Sequence, residues 1–270
     1  FKLSDALEAQ MEELILSEGE LPTVTGERIG CVINGVHQVE HYLRYLASRV
    51  DEEKLSGLRV LVDCANGAAS ATALRLFRRF AINVQFIHDR PNGVNINDGC
   101  GSTHLQALSA QVVAGCYDLG IAFDGDADRC LAVDERGQLV DGDHIMAICA
   151  GALRDQGKLP GEGFVATVMS NLGLHKYMRE HAMKLLCADV GDRNVLEMMQ
   201  REGMRLGGEQ SGHVIFLDDM TTGDGQLCAL RLLEILAQSG RPLSELAGEI
   251  PTYPQVLLNV PGPHAAEAKQ

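Results

Sequence analysis

The sequence predicts two consecutive three-layer α/β/α domains with mixed, mainly parallel sheets. Three observations point there. Apolar runs of strand length alternate with amphipathic helical stretches, and the series occurs twice. The 270 residues suffice for two domains, and a hydrophobic fraction of 46% supports real cores. The acidic and glycine-rich stretches fall where strand runs end, the place where open α/β sheets bind ligands.

The elements follow in order. Leu3, Leu7, Met11 and Leu14 mark an amphipathic helix, and Val36, Val39, Leu43, Leu46 and Val50 a second. Residues 59–63 form a strand and 68–80 a helix, joined by a tight turn at Asn66-Gly67. A strand at 84–87 leads to a helix at 103–114, where Thr103 and Gln106 make a capping box. Ser102-Thr103-His104 therefore reads as a helix entry rather than a nucleophile. Strand 119–123 is buried. Segments 131–133 and 138–140 pair as a hairpin through Glu135-Arg136-Gly137. After a helix at 143–155 and a loop at 157–163, the second series runs strand 164–168, helix 174–181, strand 184–187 and helix 194–202, the last capped by Asp192. Two short strands, 204–207 and 213–216, flank a glycine-rich turn. Helix 223–238, entered through Thr222-Gly-Asp224-Gly, carries Leu227, Leu230, Leu233 and Leu236. A final strand is expected at 256–260, before Pro261 and Pro263 open a polar tail. The boundary between the two α/β domains falls near residue 142.

Composition narrows the function. A formal net charge of −14 argues against nucleic acid and anionic membrane surfaces as partners. A phosphorylated ligand would need a metal or local arginines to offset that field. No signal peptide or membrane-spanning run is evident. The eight cysteines include no C-x-x-C pair, and Cys64, Cys130, Cys149 and Cys228 lie in apolar patterns. They read as buried small hydrophobes in a reducing cytoplasm. There is no tryptophan for a lectin-like stacking platform.

Asp124-Gly-Asp126-Ala-Asp128-Arg129 is the most informative stretch. At ~4 Å and an effective dielectric near 20, each carboxylate pair repels by about 4 kcal/mol. The loop must be well solvated or hold a cation, and oxygens alone suit a hard ion such as Mg2+. A solvated surface turn is the plain alternative. A calcium loop is another, because Asp124, Asp126, Asp128 and Glu135 follow EF-hand spacing, though Arg129 replaces the required glycine and the flanks read as strands. In Gly207-Gly-Glu209-Gln-Ser211-Gly-His213, glycines let backbone approach a ligand. In an extended segment Glu209 and Ser211 share a face, a carboxylate beside a hydroxyl that suits vicinal sugar hydroxyls. A polar hairpin turn explains the same letters.

Together these stretches resemble the α-D-phosphohexomutases. The family's metal loop, D-G-D-x-D-R, is matched by Asp124 to Arg129, and its sugar loop, G-E-x-S-G-H, by Gly208 to His213. Gln210, the run N-I-N-D-G-C-G-S-T-H at 95–104, V-M-S-N-L-G at 168–173 and V-G-D-R at 190–193 are similar to the subgroup that acts on glucosamine phosphates. Phosphomannomutase/phosphoglucomutase relatives usually carry methionine at the place of Gln210. That side chain is expected to point away from its neighbours' face.

The resemblance implies that Asp124, Asp126 and Asp128 hold Mg2+ and that Arg129 neutralises phosphate charge. It implies that Glu209 and Ser211 hold sugar hydroxyls, with His213 at the loop edge and Asp192 nearby. The implied activity is conversion of glucosamine 6-phosphate to glucosamine 1-phosphate, through a phosphoserine and a bisphosphate intermediate, in the cytoplasm. Enzymes of this family have four domains, and neither the phosphoserine loop of the first nor the phosphate loop of the fourth is matched here. Residues 1–35 are then the end of a truncated first domain and a linker, 36–142 and 143–260 the second and third domains, and 261–270 a linker to a fourth. The missing first and fourth domains would be partners of the chain. The alternatives are a phosphomannomutase/phosphoglucomutase, or a non-catalytic module that binds a divalent cation and a sugar phosphate.

Overall fold

The structure, a computed structural model, describes residues 3–258 except 18, 20–22, 52–54 and 56. The first sheet is built from β1 (Arg59–Asp63), β2 (Asn83–Ile87), β3 (Leu119–Phe123), β4 (Cys130–Asp134) and β5 (Leu139–Val140), in the order β2-β1-β3-β4-β5. β1 runs parallel to β2 and β3, while β3/β4 and β4/β5 are antiparallel. The second sheet has β6 (Gly163–Thr167), β7 (Lys184–Ala188), β8 (Leu206–Gly208) and β9 (Val214–Phe216), in the order β7-β6-β8-β9. There only β8/β9 is antiparallel.

The two-residue alternation of the strands sorts side chains between layers. In β1, Val60 and Val62 face a core with α2 (Val36–Ala47) and α3 (Ala69–Phe77). Leu61 faces the other way, onto Leu108 and Val112 of α4 (Gln106–Gly115). β6 repeats the arrangement: Phe164 and Ala166 join the large core, and Val165 meets Val195, Leu196 and Met199 of α7 (Asp192–Glu202). α5 (Gly142–Asp155) and α8 (Gly225–Ser239) lie in the same core. Each of these two helices contacts strands of both sheets, so the large core spans both, with a smaller cluster on the outer face of each. α6 (Leu172–Glu180) and the short α9 (Leu243–Gly248) complete that layer.

Several local expectations are corrected. The capping box fails: residues 101–103 form a 3-10 turn, Leu105 is the N-cap of α4, and no side chain caps it. His104, at φ −142° and ψ 76°, breaks helical geometry between turn and helix. Asp192 is not an N-cap either. Gly191, at φ 121°, holds that position, and the Asp192 carboxylate accepts from the Arg193 N–H at 2.8 Å. α9 was not anticipated, being six residues long with little periodicity to read. Residues 256–258 are not a strand, and 259–260 lie outside the described residues, as does the 261–270 tail. The first helix, α1, spans Asp5–Leu16 and buries none of its residues. Among the described residues no helix is long and apolar enough to cross a membrane.

Candidate functional site

The acidic loop is the connection from β3 to β4. Buried strands on both sides fix its ends, and Ala127, at φ 63°, turns the chain back. The Asp124 carboxylate accepts from the Arg129 N–H at 3.2 Å. The Gly125 carbonyl accepts from the Ala68 N–H at 2.8 Å. A Cβ on Gly67 would sit 2.2 Å from that carbonyl, so the turn after β1 must be glycine to let the acidic loop seat. The expected tight turn at Asn66-Gly67 is therefore also a clamp on the acids.

One oxygen each from Asp124, Asp126 and Asp128 lies within 4.8 Å of the others. Asp124 is buried, Asp126 exposed and Asp128 between. Burial, helped by the charges of Asp128 and Asp126 and opposed by the Arg129 N–H, pushes the Asp124 carboxyl up to about 6. The Arg129 guanidinium stands 3.6 Å from Asp124 and 3.9 Å from Asp128, too far for hydrogen bonds, and its buried Nε has no hydrogen-bond partner. One loosely engaged cation against three carboxylates leaves an uncompensated negative pocket. Crowded oxygens with no sulfur or nitrogen among them fit a hard divalent cation. Glu135, the twelfth position of the calcium-loop alternative, is turned away in the β4–β5 connection, where it accepts from the Ser244 N–H at 3.2 Å.

The second motif is the turn between β8 and β9. The Glu209 and His213 backbones close it, Glu209 N–H donating to the His213 carbonyl at 3.0 Å. Glu209 and Ser211 thus meet across a tight turn, not along an extended strand, and the Ser211 hydroxyl donates to the Glu209 carboxylate at 3.2 Å. The other Glu209 oxygen accepts from the Gly191 N–H at 2.8 Å. Glu209, Gln210 and Ser211, with Asp141 and Thr167, border a cavity of about 490 Å3. Gln210 is on the same cavity as its neighbours, contrary to the strand-based expectation, because a turn does not alternate faces.

His213 joins the two motifs. It is buried, and its Nε2 accepts from the Gly223 N–H at 3.0 Å. The ring proton therefore sits on Nδ1, which donates to the Asp128 carboxylate at 3.0 Å. Asp192 stands 4.0 Å from Nε2. Backbone contacts reinforce the link. Cys130 N–H donates to the Gly212 carbonyl at 3.0 Å, and Gly225 N–H to the Ala127 carbonyl at 2.9 Å. A Cβ would come 2.5 Å from the Cys130 carbonyl at Gly212, and 2.4 Å from the Arg129 carbonyl at Gly225. The structure thus links the acidic loop to the glycine-rich turn through His213, while Asp126 and Asp128, Glu209 and Ser211, and Asp192 border three different cavities. Gly223, Gly225 and Asp224 were read only as a helix entry. Asp224 does cap α8, accepting from the Leu227 N–H at 2.9 Å, but it also accepts from the Tyr42 hydroxyl at 2.9 Å. Two glycines flanking an aspartate were the available signal.

The chain was compared with known proteins. Residues 40–137 match the family model for "Phosphoglucomutase/phosphomannomutase, alpha/beta/alpha domain II", and residues 141–253 that for domain III. The phosphoglucosamine mutase of Pelotomaculum thermopropionicum is 52% identical over 261 residues, which cover 96% of this chain and 58% of that protein. That of Geobacillus kaustophilus is 51% identical with the same coverage. The chain thus spans 58% of the length of these curated relatives. Among solved structures, a phosphoglucomutase/phosphomannomutase family protein from Burkholderia thailandensis superposes with a TM-score of 0.69 at 29% identity, over 79% of this chain and 46% of that one. N-acetylphosphoglucosamine mutase from Aspergillus fumigatus, solved with GlcNAc-6P and magnesium, shares the fold with a TM-score of 0.66 at 21% identity, over 80% of this chain and 50% of that one. The chain belongs to the phosphoglucomutase/phosphomannomutase family, of which it carries the second and third α/β/α domains.

Proposed function

We propose that this chain is the metal-binding and sugar-binding part of a phosphoglucosamine mutase, which converts glucosamine 6-phosphate to glucosamine 1-phosphate. Relatives of that name at 50% identity or more support the reaction, and so does the match of both loops to the family motifs. In this reading Asp124, Asp126 and Asp128 hold Mg2+, which when bound draws electron density from a phosphoryl oxygen. Arg129 offsets the charge that builds on the transferring phosphoryl group. Glu209 and Ser211 accept and donate to vicinal hydroxyls of the sugar, and Asp192 stands by the same site. His213 keeps Asp128 aimed and ties the sugar turn to the acidic loop.

The phosphorylated serine that gives and retakes the phosphoryl group comes, in this proposal, from a part of the protein outside these 270 residues. Residues 1–35 connect to it, and residues 261–270 lead towards a phosphate-gripping domain. Residues 36–142 and 143–260 are the two domains that carry the loops. Eight free cysteines suit a cytoplasmic setting.

The single observation that carries the proposal is the Asp128–His213 contact, 3.0 Å long, which makes one site of two motifs 85 residues apart. The test is a coupled assay with glucosamine 6-phosphate and a bisphosphate activator. The 270-residue chain alone should show no turnover, and a longer protein containing it should be active and lose activity on Asp126→Asn. Activity of the chain alone, or an unimpaired Asp126→Asn protein, would overturn the assignment.

A further inference from the structure

We propose that Asp63, His88 and Cys100 form a second cation site, built for a zinc-class ion rather than for Mg2+. The three residues come from the end of β1, the residue after β2 and the loop before α4, so the topology of the first sheet brings them together. One ligating atom of each lies within 4.8 Å of the other two. Imidazole, thiol and carboxylate together are the donor set of a borderline-soft ion, whereas Mg2+ takes oxygen. Across a tetrahedral zinc ion such donors stand roughly 3.3–3.6 Å apart, from the usual zinc–ligand lengths. The His88 Nδ1 to Asp63 Oδ2 distance of 2.9 Å is a hydrogen bond, so an entering ion displaces that proton and opens the pair by roughly 0.4–0.7 Å while drawing Cys100 in.

The surroundings suit a site. Asp63 is fully buried and held in place by the N–H groups of Ala65 at 2.9 Å and Gly101 at 3.0 Å. Those bonds orient the carboxylate as an outer shell orients a ligand. Cys100 is buried too, and among the described residues its sulfur accepts one weak contact, from the Asn66 amide at 3.8 Å. The His88 side chain is 31% exposed, which gives an ion a way in and leaves a fourth position for water. Burial and the Asp63 charge push the Cys100 thiol up, and a cation bound beside it favours the thiolate by direct coordination and by offsetting the Asp63 charge. Binding releases the thiol proton to solvent. His88 Nδ1 changes from a donor towards Asp63 to a ligand, and its proton moves to Nε2.

The acidic loop offers no sulfur, so the two sites can be told apart by spectroscopy. Co2+ substitutes for zinc and gives a strong sulfur-to-cobalt charge-transfer absorption only when a thiolate binds it. Titrating Co2+ into the chain should produce this band at one equivalent. It should persist in Asp126→Asn and vanish in Cys100→Ser. His88→Gln keeps a side-chain amide that can donate to Asp63 and should weaken Co2+ binding at least about tenfold, as loss of one ligand demands, with thermal melting checking that the variant is folded. A chain that gives no sulfur band would overturn the proposal. So would a band that survives Cys100→Ser and disappears in Cys187→Ser, which would put the ion beside His175, 4.0 Å from the Cys187 sulfur.

Discussion

Replacing His213 by alanine tests the link between the two loops. The variant removes a donor from Asp128 and an acceptor from the Gly223 N–H. The Gly223 N–H is buried, and orphaning it costs about 1–3 kcal/mol. The bond to Asp128 is charge-assisted, but that side chain is 38% exposed and regains water, so its loss is discounted. A total near 3 kcal/mol is expected, which lowers the melting temperature by about 6–12 °C at this chain length. Mg2+ affinity should fall about 10–100-fold, because Asp128 loses the group that aims it. Two further substitutions divide the roles. His213→Asn keeps a donor near the Nδ1 position and should recover most of the Mg2+ affinity. His213→Gln keeps an acceptor near the Nε2 position and should recover most of the stability. Calorimetric Mg2+ titration and thermal melting of the four proteins read both effects. Unchanged Mg2+ affinity in His213→Ala would refute the reasoning and leave the Asp128 contact without a role in the site.

The remaining predictions concern both loops. Asp126→Asn should abolish measurable Mg2+ heat while leaving the melting temperature of the metal-free chain nearly unchanged, since Asp126 is exposed; equal heats from both proteins would place the ion elsewhere. Mg2+ affinity should be level above about pH 7 and fall towards tenfold per pH unit below about 6, because a proton on Asp124 competes with the ion. The same raised carboxyl favours the metal-free fold below its ordinary range and withdraws that stability as pH rises through about 6, so Mg2+ should stabilise the chain more at pH 7 than at pH 5, measured by melting. Glu209→Ala in a longer, active protein should lower kcat/KM at least about 100-fold, or ~2.7 kcal/mol, with a melting shift of only a few degrees. Normal kinetics there would move sugar recognition towards Asp192 and Arg193. Gly142→Ala would place a methyl group 2.0 Å from the Glu209 carbonyl, and should both destabilise the chain and weaken sugar-phosphate binding; a fully stable Gly142→Ala protein would mean that the turn yields freely.

Much of this was legible in the letters, for physical reasons. Alternation of strand and helix periods revealed both sheets, because each buried face imposes its own spacing on the residues that cover it. The acids of the β3–β4 loop announced themselves because carboxylates so close need a reason. What stayed hidden depends on contacts distant in sequence. Nothing near Gly212 or Gly225 says that each must lie flush on the backbone of residues 127–130. The start of α4 was misread because a local cap pattern at Thr103 competed with a turn at 101–103 set by its neighbours. Glu209 and Ser211 were brought together correctly by the wrong geometry, since two residues of spacing serve a tight turn as well as a strand. Asp192 gave way to Gly191 because only glycine takes that backbone angle freely.

The glycine-to-backbone seams have a mechanical meaning. Where main chain rests on main chain, as at Gly212 on Cys130, Gly225 on Arg129 and Gly142 on Glu209, no side chain can swing aside to let the surfaces part. The acidic loop and the glycine-rich turn are thus seated on each other through main chain, and in the proposed function this seating sets the distance between the carboxylates of residues 124–128 and Glu209. In that reading, a ligand that presents each of its ends in turn turns within the site, against a spacing that side-chain rotations do not adjust.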